Sequence, residues 1–593
     1  MLTIYDTPGC GENKATRKRK KEPRVKTMEE LIRKYALQNA IQHQGKANTK
    51  AVLAHLIGYK PNLKTRIREI LPKIEEIVQQ INSLTLDEQK NILTSMAPEL
   101  LTKTPKTSKQ PTLPPLPKVG TKTVMRFEPS PSGPLHIGHA HTLIINDEYT
   151  KKYNGTLILR IGDTNPNNVD PDAYQMIKED VEWLQVTTHK TLIQSNRIPI
   201  YYQHAEQLLK GGKAYICTCK TEEWRRLKLD GTPCPHRDQD PDQQLKRWEM
   251  MINGEYDEGE ATLVIKTDLS HPNPAIRDWP AFRIIKTPHP IQGEKYCVYP
   301  LMNFSVAIDD HLNGITHVIR GKDHINNTLR QEYIFNYFNW PKPVYIHTSR
   351  IKIEGTILST TKIKQGIRQG VYTGWDDPRL GTLRALRRRG IHPEAIRKYW
   401  VQVGVKPADI ILSWENLYHI NREIVEPKAN RYFFVQNPVP ITITTANKHP
   451  LEAHAPKHPD HPERGTRNLK LSPDKDGKIK VYISHNDHKS LKPNQTLRLK
   501  NLCNIRMVTM ETAEYIGNNP EIVKKGAKII HWVPPEPQNI ATTILLPNGM
   551  RCEGLAEKIP IPEKREEVVQ FERFGFVNIT KLNGKIFGWY THK

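Results

Sequence analysis

Two histidines stand one helical turn apart at the end of the run Arg126-Phe127-Glu128-Pro129-Ser130-Pro131-Ser132-Gly133-Pro134-Leu135-His136-Ile137-Gly138-His139. Thr123 to Met125 reads as a short buried strand, and Ala140 to Asn146 as the body of a helix. A strand, a Pro/Gly-rich turn and a helix start is where a doubly wound sheet binds nucleotides. A helix N-terminus attracts anions, because its first N–H groups lack partners and its dipole favours negative charge. Two imidazoles there can donate to phosphate oxygens. Gly138 puts no side chain between the backbone and an adenine or ribose. By spacing alone, a His pair at i, i+3 could equally bind a metal or merely solvate a helix end.

Cys217-Thr218-Cys219 and Cys234-Pro235-His236 form a second cluster. Three thiolates and one imidazole in two closely spaced pairs suit tetrahedral zinc. Reduced, buried cysteines are the alternative. Four protein ligands leave no open coordination position, so such a zinc would be structural. Thr156 to Ile161 is a continuous apolar run of the kind found in parallel sheets. Arg160 and Asp163 then sit at its C-terminal end, where open α/β sheets bind ligands. Val318-Ile319 reads as a further strand, with Arg320 at its end facing the crevice, beside Asp309 and Asp323. A surface arginine is the alternative there.

The fourteen-residue run resembles the HIGH signature of class I aminoacyl-tRNA synthetases, in the form of the glutamyl and glutaminyl branch. Arg160 to Pro166, Tyr299-Pro300-Leu301-Met302-Asn303-Phe304 and Gly314 to Arg320 resemble further segments of that branch. Gly162 stands where glutaminyl members have a second Asp. Thr356 to Ile363 sits where the family places its KMSKS signature, with Thr360 at the usual second Lys position and Lys362 two residues on. Glutaminyl members typically have Cys where Arg320 stands, and a guanidinium there matches a γ-carboxylate.

The resemblance implies that His136, His139 and Lys362 stabilise charge on the phosphates. It implies ATP with Mg2+ on Pro129 to Leu135, Ile137, Gly138, Ser359 and Thr361. Glutamate would meet Arg126, Glu128, Asp163, Tyr299, Asn303 and Arg320. Some members carry a Cys-x-Cys…Cys-x-His zinc site at the place of Cys217, Cys219, Cys234 and His236. The implied activity forms glutamyl-adenylate and moves the glutamyl group to the 3′-terminal adenosine of tRNA(Glu), with tRNA(Gln) as a further candidate acceptor. The alternatives are ligation of glutamine and a catalytically inactive tRNA-binding protein.

A chain of 593 residues is too long for one core, so several domains are expected. Lys14 to Lys26 reads as a basic arm, a solvated tail or a loose RNA contact, and 1–101 as that arm with an appended helical domain. Residues 102–118 form a Pro/Lys linker. The Rossmann-like catalytic domain spans 119–350, with an acceptor-binding insertion at 213–289. A helical region at 351–428 contains Arg387-Arg388-Arg389. By resemblance this triplet meets the inner corner of tRNA; otherwise it is a helix end in water. From 429 to 593, short alternating runs separated by Pro, Gly and Asn indicate β-barrels. These resemble the anticodon-binding barrels of archaeal and eukaryotic glutamyl and of glutaminyl members. The fold class is therefore multidomain α/β plus β.

The net charge of +25 and pI near 9.5 suit a polyanion such as tRNA, or merely a basic soluble chain. Seven cysteines do not make a disulfide scaffold, and no apolar run spans a membrane. The start lacks the pattern of a signal peptide. A monomeric cytoplasmic enzyme is expected.

Overall fold

The structure, a computed structural model, describes residues 28–59, 63, 67–97, 100, 112–446 and 449–593. The basic arm and most of the expected linker lie outside them. The chain divides into two units, Met1–Gln110 and Pro111–Lys593.

The first unit has helices Met28–Gln42, Thr49–Tyr59, Ile67–Asn82 and Leu86–Met96. Their apolar stripes meet in one core, with Ile32, Ala36, Leu56, Ile74 and Leu93 buried together. The last helix begins at a capping box: Glu88 N donates to Thr85 Oγ1 (3.4 Å) and Thr85 N to Glu88 Oε2 (2.8 Å).

In the second unit, Val124–Phe127, Thr156–Ile161 and Lys190–Ile193 form a parallel sheet in that order. His317–Gly321 pairs in parallel with Val344–Thr348. It also runs beside Val124–Phe127, where Thr316 N donates to Val124 O (2.9 Å). The strand order thus reverses between Val124–Phe127 and His317–Gly321. That is the topological switch point, where a crevice opens at the strand ends.

Helix Ile137–Lys152 packs its Leu143, Ile144 and Tyr149 on this sheet. Helices Leu383–Arg388, Pro393–Val403 and Trp414–Val425 bury Leu386, Ile396, Trp400 and Leu417 in the same core. The boundary expected at 351 is therefore not a domain boundary.

The insertion is an antiparallel sheet of Ala214–Cys217, Thr262–Ile265, Trp279–Ile284 and Val298–Pro300. Its expected end at 289 falls short. Val298–Pro300, beyond that bound, is the sheet's fourth strand. Three residues carry too little periodicity to say which sheet they join.

The C-terminal strands form a seven-stranded and a six-stranded sheet. The six-stranded sheet closes where Tyr482 and Val533 exchange hydrogen bonds (3.0 and 2.9 Å). The edges of the seven-stranded sheet are Arg431–Tyr432 and Phe434–Gln436, consecutive in the chain, so it too closes on itself. Closure removes free edges.

The arginine triplet divides its work. Arg387 faces water, while Arg388 stacks on Trp589 (4.2 Å) and pairs with Glu566 (2.8 Å). Arg389 is buried and donates to Tyr590 O (3.2 Å), Thr591 O (2.9 Å) and Tyr418 OH (2.8 Å). Two of the three therefore tie the catalytic body to the barrel. Among the described residues no helix is long and apolar enough to cross a membrane.

Candidate active site

The histidines of the signature cap their own helix. His136 Nδ1 accepts from Gly138 N (3.1 Å) and His139 N (3.2 Å), and His139 Nδ1 accepts from His136 N (3.3 Å). Ile137 N donates to Gly381 O (3.0 Å). The first N–H groups of the helix are thus satisfied, contrary to the expectation that they are free for an anion. An Nδ1 that accepts places the ring proton on Nε2. Each imidazole therefore keeps one Nε2–H donor, with no partner among the described residues. The rings stack with centroids 3.5 Å apart. Burial pushes His136 down to about 4; burial and the neighbouring His136 push His139 well below the usual histidine range. The pair consists of neutral donors.

The turn before these histidines is held from two sides. Leu135 N donates to Asp180 Oδ2 (2.8 Å) and Leu383 N to Leu135 O (2.8 Å). Pro129, Pro131, Gly133, Pro134, Leu135 and Ile137 are buried as scaffold. Of the fourteen-residue run, Arg126, Phe127, Glu128, Ser130, Gly138 and His139 line the crevice.

The second signature starts helix Thr360–Arg368, capped by Ser359 Oγ, which accepts from Lys362 N (3.5 Å). Ser132 Oγ lies 3.3 Å from Thr360 Oγ1. A Cβ on Gly133 would meet Trp375 at 2.8 Å and Thr360 Cγ2 at 3.3 Å, so the first turn packs directly on this segment. Lys362 and Thr361 are exposed, and Lys362 makes no ion pair among the described residues. Lys364 instead pairs with Asp170 (2.9 Å).

A cavity of about 480 Å³ lies at the switch point, lined by Arg126, Glu128, His139, Arg283, Arg320 and His324 among others. Asp310, fully buried, takes Arg126 Nε (3.1 Å) and Arg160 Nη1 (2.8 Å) on one oxygen. Glu128 Oε2 takes Arg160 Nη2 (2.7 Å) and lies 3.7 Å from Arg126 Nη1. Burial raises Asp310, but the guanidiniums of Arg126 and Arg160 outweigh it and hold the carboxyl below its usual range. Among the described residues Arg320 has no such partner. Burial, and then the charge of Arg126, lower its guanidinium to about 10. Asp310 and Glu128 match Arg126 and Arg160, whereas Arg320 and the less buried Arg283 make no ion pair among the described residues, so the wall keeps an excess of positive charge.

Three expected glutamate contacts are not on the cavity wall. Asp163 is fully buried and accepts from Ser195 N (2.8 Å), Ser195 Oγ (2.7 Å) and Tyr174 OH (2.7 Å). Its carboxylate is used up holding the segment after its strand, while its neighbours Gly162, Thr164 and Asn165 line the cavity. Tyr299 is fully buried, stacked on His289 (6.1 Å). Asn303 donates to Asn327 (3.2 Å) and accepts from Gln331 (3.2 Å). Asp310 and Gln331 are functional residues of this wall that the sequence does not single out. Two adjacent acids inside the apolar helix Met302–Leu312 were the available sign of the former.

In the insertion, the donor atoms of Cys217, Cys219, Cys234 and His236 all lie within 4.8 Å of one another. Neighbouring separations are 3.5 Å (Cys217–Cys234), 3.6 Å (Cys219–Cys234) and 3.4 Å (Cys219 to His236 Nδ1). A zinc tetrahedron with arms of about 2.3 Å has edges of roughly 3.8 Å, so the set fits that ion. Thr218 Oγ1 meets His236 Nε2 (3.1 Å) and orients the ring.

The family model for class I tRNA synthetases (E and Q), catalytic domain, matches residues 122–427, and the one for their anticodon-binding domain matches 429–524. The chain is 48% identical over 579 residues to a glutamate–tRNA ligase of Pyrococcus abyssi, covering 95% of this chain and 100% of the relative. It is 48% identical over 580 residues to one of Pyrococcus furiosus, with the same coverage. To one of Methanocaldococcus jannaschii it is 47% identical over 558 residues, covering 93% and 98%. This chain, with a switch-point crevice and two closed C-terminal barrels, belongs to the class I tRNA synthetases for glutamate and glutamine.

Proposed function

We propose that the crevice carries out both steps of a glutamate–tRNA ligase. ATP and glutamate bind together, with Mg2+ on the phosphates. An α-carboxylate oxygen of glutamate attacks the α-phosphorus, the bond to the bridging oxygen breaks, and pyrophosphate leaves. The 2′-hydroxyl of the terminal adenosine of tRNA(Glu) then attacks the glutamyl carbonyl, loses its proton, and AMP leaves. No side chain forms a covalent intermediate; the site supplies position and charge.

The Nε2–H groups of His136 and His139 and the ammonium of Lys362 stabilise the negative charge that develops on the phosphates. Ser130, Gly138, Ser359 and Thr361 frame the nucleotide. Arg126 and Arg320 take the two carboxylates of glutamate, and Glu128 is the lining carboxylate available to its ammonium. Asp163, Tyr299 and Asn303 support the wall. The barrels read the anticodon. Cys217, Cys219, Cys234 and His236 would hold Zn2+, which would brace the acceptor-end insertion and add folding energy rather than chemistry. Because one chain holds the complete crevice, we assign a monomer, working in the cytoplasm.

The observation that carries this reading is the buried guanidinium of Arg320, 7% exposed on the cavity wall and without a carboxylate partner among the described residues. ATP–pyrophosphate exchange tests it: exchange should depend on glutamate, not glutamine, and on added tRNA. Charging of tRNA(Glu) and tRNA(Gln) transcripts side by side decides the acceptor range. Exchange driven equally well by glutamine would overturn the reading.

A further inference from the structure

Arg320 differs from Arg126 and Arg160 in what holds it. Arg126 and Arg160 share Asp310 and Glu128. Arg320 Nη2 donates instead to Thr328 Oγ1 (2.6 Å) and Gln331 Oε1 (3.0 Å). Its plane sits over the ring of Tyr345, 4.8 Å from the centroid. Every group of this cradle is neutral. Thr328 and Gln331 are buried one turn apart on helix Ile325–Tyr337, and Tyr345 stands on the adjacent parallel strand. Among the described residues, Arg320 Nε is buried without a partner and Arg320 makes no ion pair.

The amide of Gln331 is locked in this sense. Its Nε2 donates to Asn303 Oδ1 (3.2 Å), Asn303 Nδ2 donates to Asn327 Oδ1 (3.2 Å), and Asn327 Nδ2 donates to His324 Nδ1 (2.9 Å). The chain of amides leaves Oε1 as the end that faces Arg320. A glutamate at 331 would orient the same guanidinium at the same length, but would neutralise it.

We propose that Gln331 is a specificity-determining residue for the amino-acid step. It fixes the Arg320 fork with a neutral acceptor, so the full charge of the guanidinium is reserved for the side-chain carboxylate of the substrate. The inference rests on the reading of Arg320 as the partner of that carboxylate. Its physical basis is that a buried charge already paired in the protein gains little from a second partner, whereas an unpaired one gains much. Gln331 is a positioning residue: it touches Arg320, not the reacting atoms.

The test compares Gln331→Glu and Gln331→Met in tRNA-dependent pyrophosphate exchange with glutamate and with glutamine. Gln331→Glu should raise the KM for glutamate and narrow the kcat/KM preference over glutamine by about tenfold or more, with the KM for ATP unchanged. Gln331→Met loses the acceptor without adding charge, so it should weaken glutamate use by only about threefold and keep the preference. Should Gln331→Glu not fold, Thr328→Asp places a carboxylate on the same Nη2 and should give the same narrowing. Equal effects of Glu and Met, or an unchanged preference in the carboxylate variants, would overturn the inference. Arg320→Cys, run alongside, separates the two readings. If it abolishes the preference while Gln331→Glu does not, only the role of Gln331 fails. If it leaves the preference intact, the assignment of Arg320 itself fails.

Discussion

His136 and His139 stack face to face with centroids 3.5 Å apart, and each accepts the other's backbone N–H at Nδ1. This reciprocal cap does two things. It closes the helix N-terminus, and it fixes the tautomer that leaves two Nε2–H donors. His136→Ala and His139→Ala should each slow adenylate formation, by roughly 2.7–4 kcal/mol per lost preorganised donor. Because His136 stays neutral until about pH 4, its ionisation should not show in the exchange rate near neutral pH. Near-wild-type exchange in both variants would remove the phosphate role.

His592 should contribute to the loss of stability in acid, alongside His136 and His531, which burial also lowers to about 4. His592 is 2% exposed, and its Nε2 accepts from Asn421 Nδ2 (2.9 Å), joining the last strand to helix Trp414–Val425. Burial, with Arg389 and Arg422 nearby, lowers it to about 4. Between that value and an unfolded value of about 6.5, only the unfolded chain takes up the proton. The contribution is therefore complete above about pH 6.5 and fades as pH falls, by about 2 kcal/mol at pH 5. His592→Gln keeps an amide in place of the ring without titrating. Its Tm should drop less than that of the wild type between pH 7 and pH 5; parallel curves would contradict the assignment.

Much of this was legible in the sequence, for local reasons. The signature run, the helix after it and the Cys/His pairs are each contiguous, and the structure forms a strand, turn and helix at the first and gathers the four Cys/His donor atoms within 4.8 Å at the last. Short alternating strands announced the barrels. What stayed hidden depends on distant partners. Asp310 reaches Arg126 across 184 residues, and nothing local marks that pair. Asp163 looks like a free strand-end carboxylate until Ser195, 32 residues on, takes both its oxygens. The apolar stripes of Pro393–Val403 and Trp414–Val425 show that a face is buried but not against which core, so 351–428 read as a separate region. The capping role of His136 was hidden because histidine is not among the usual cap residues.

The metal makes a separate expectation. The purified protein should carry about one zinc per chain, and a strong chelator should lower its Tm. Cys217→Ser should do the same and should impair tRNA charging more than it alters the KM for glutamate. Metal-free protein with full activity and an unchanged Tm would contradict the site.

The choice of amino acid turns on the charge at Arg320, and the direct measurement is kcat/KM for glutamate and for glutamine in wild type and Arg320→Cys. Removing the fork strands a buried carboxylate, at a cost of about 2–5 kcal/mol in a desolvated pair. The neutral amide of glutamine loses far less. Glutamate use should collapse, the preference over glutamine should narrow, and the KM for ATP should hold; Arg320→Lys should restore only part, because an ammonium lacks the planar fork. Intact glutamate kinetics in Arg320→Cys, or equal damage to glutamate and ATP use, would contradict the account and move the γ-carboxylate contact to Arg126.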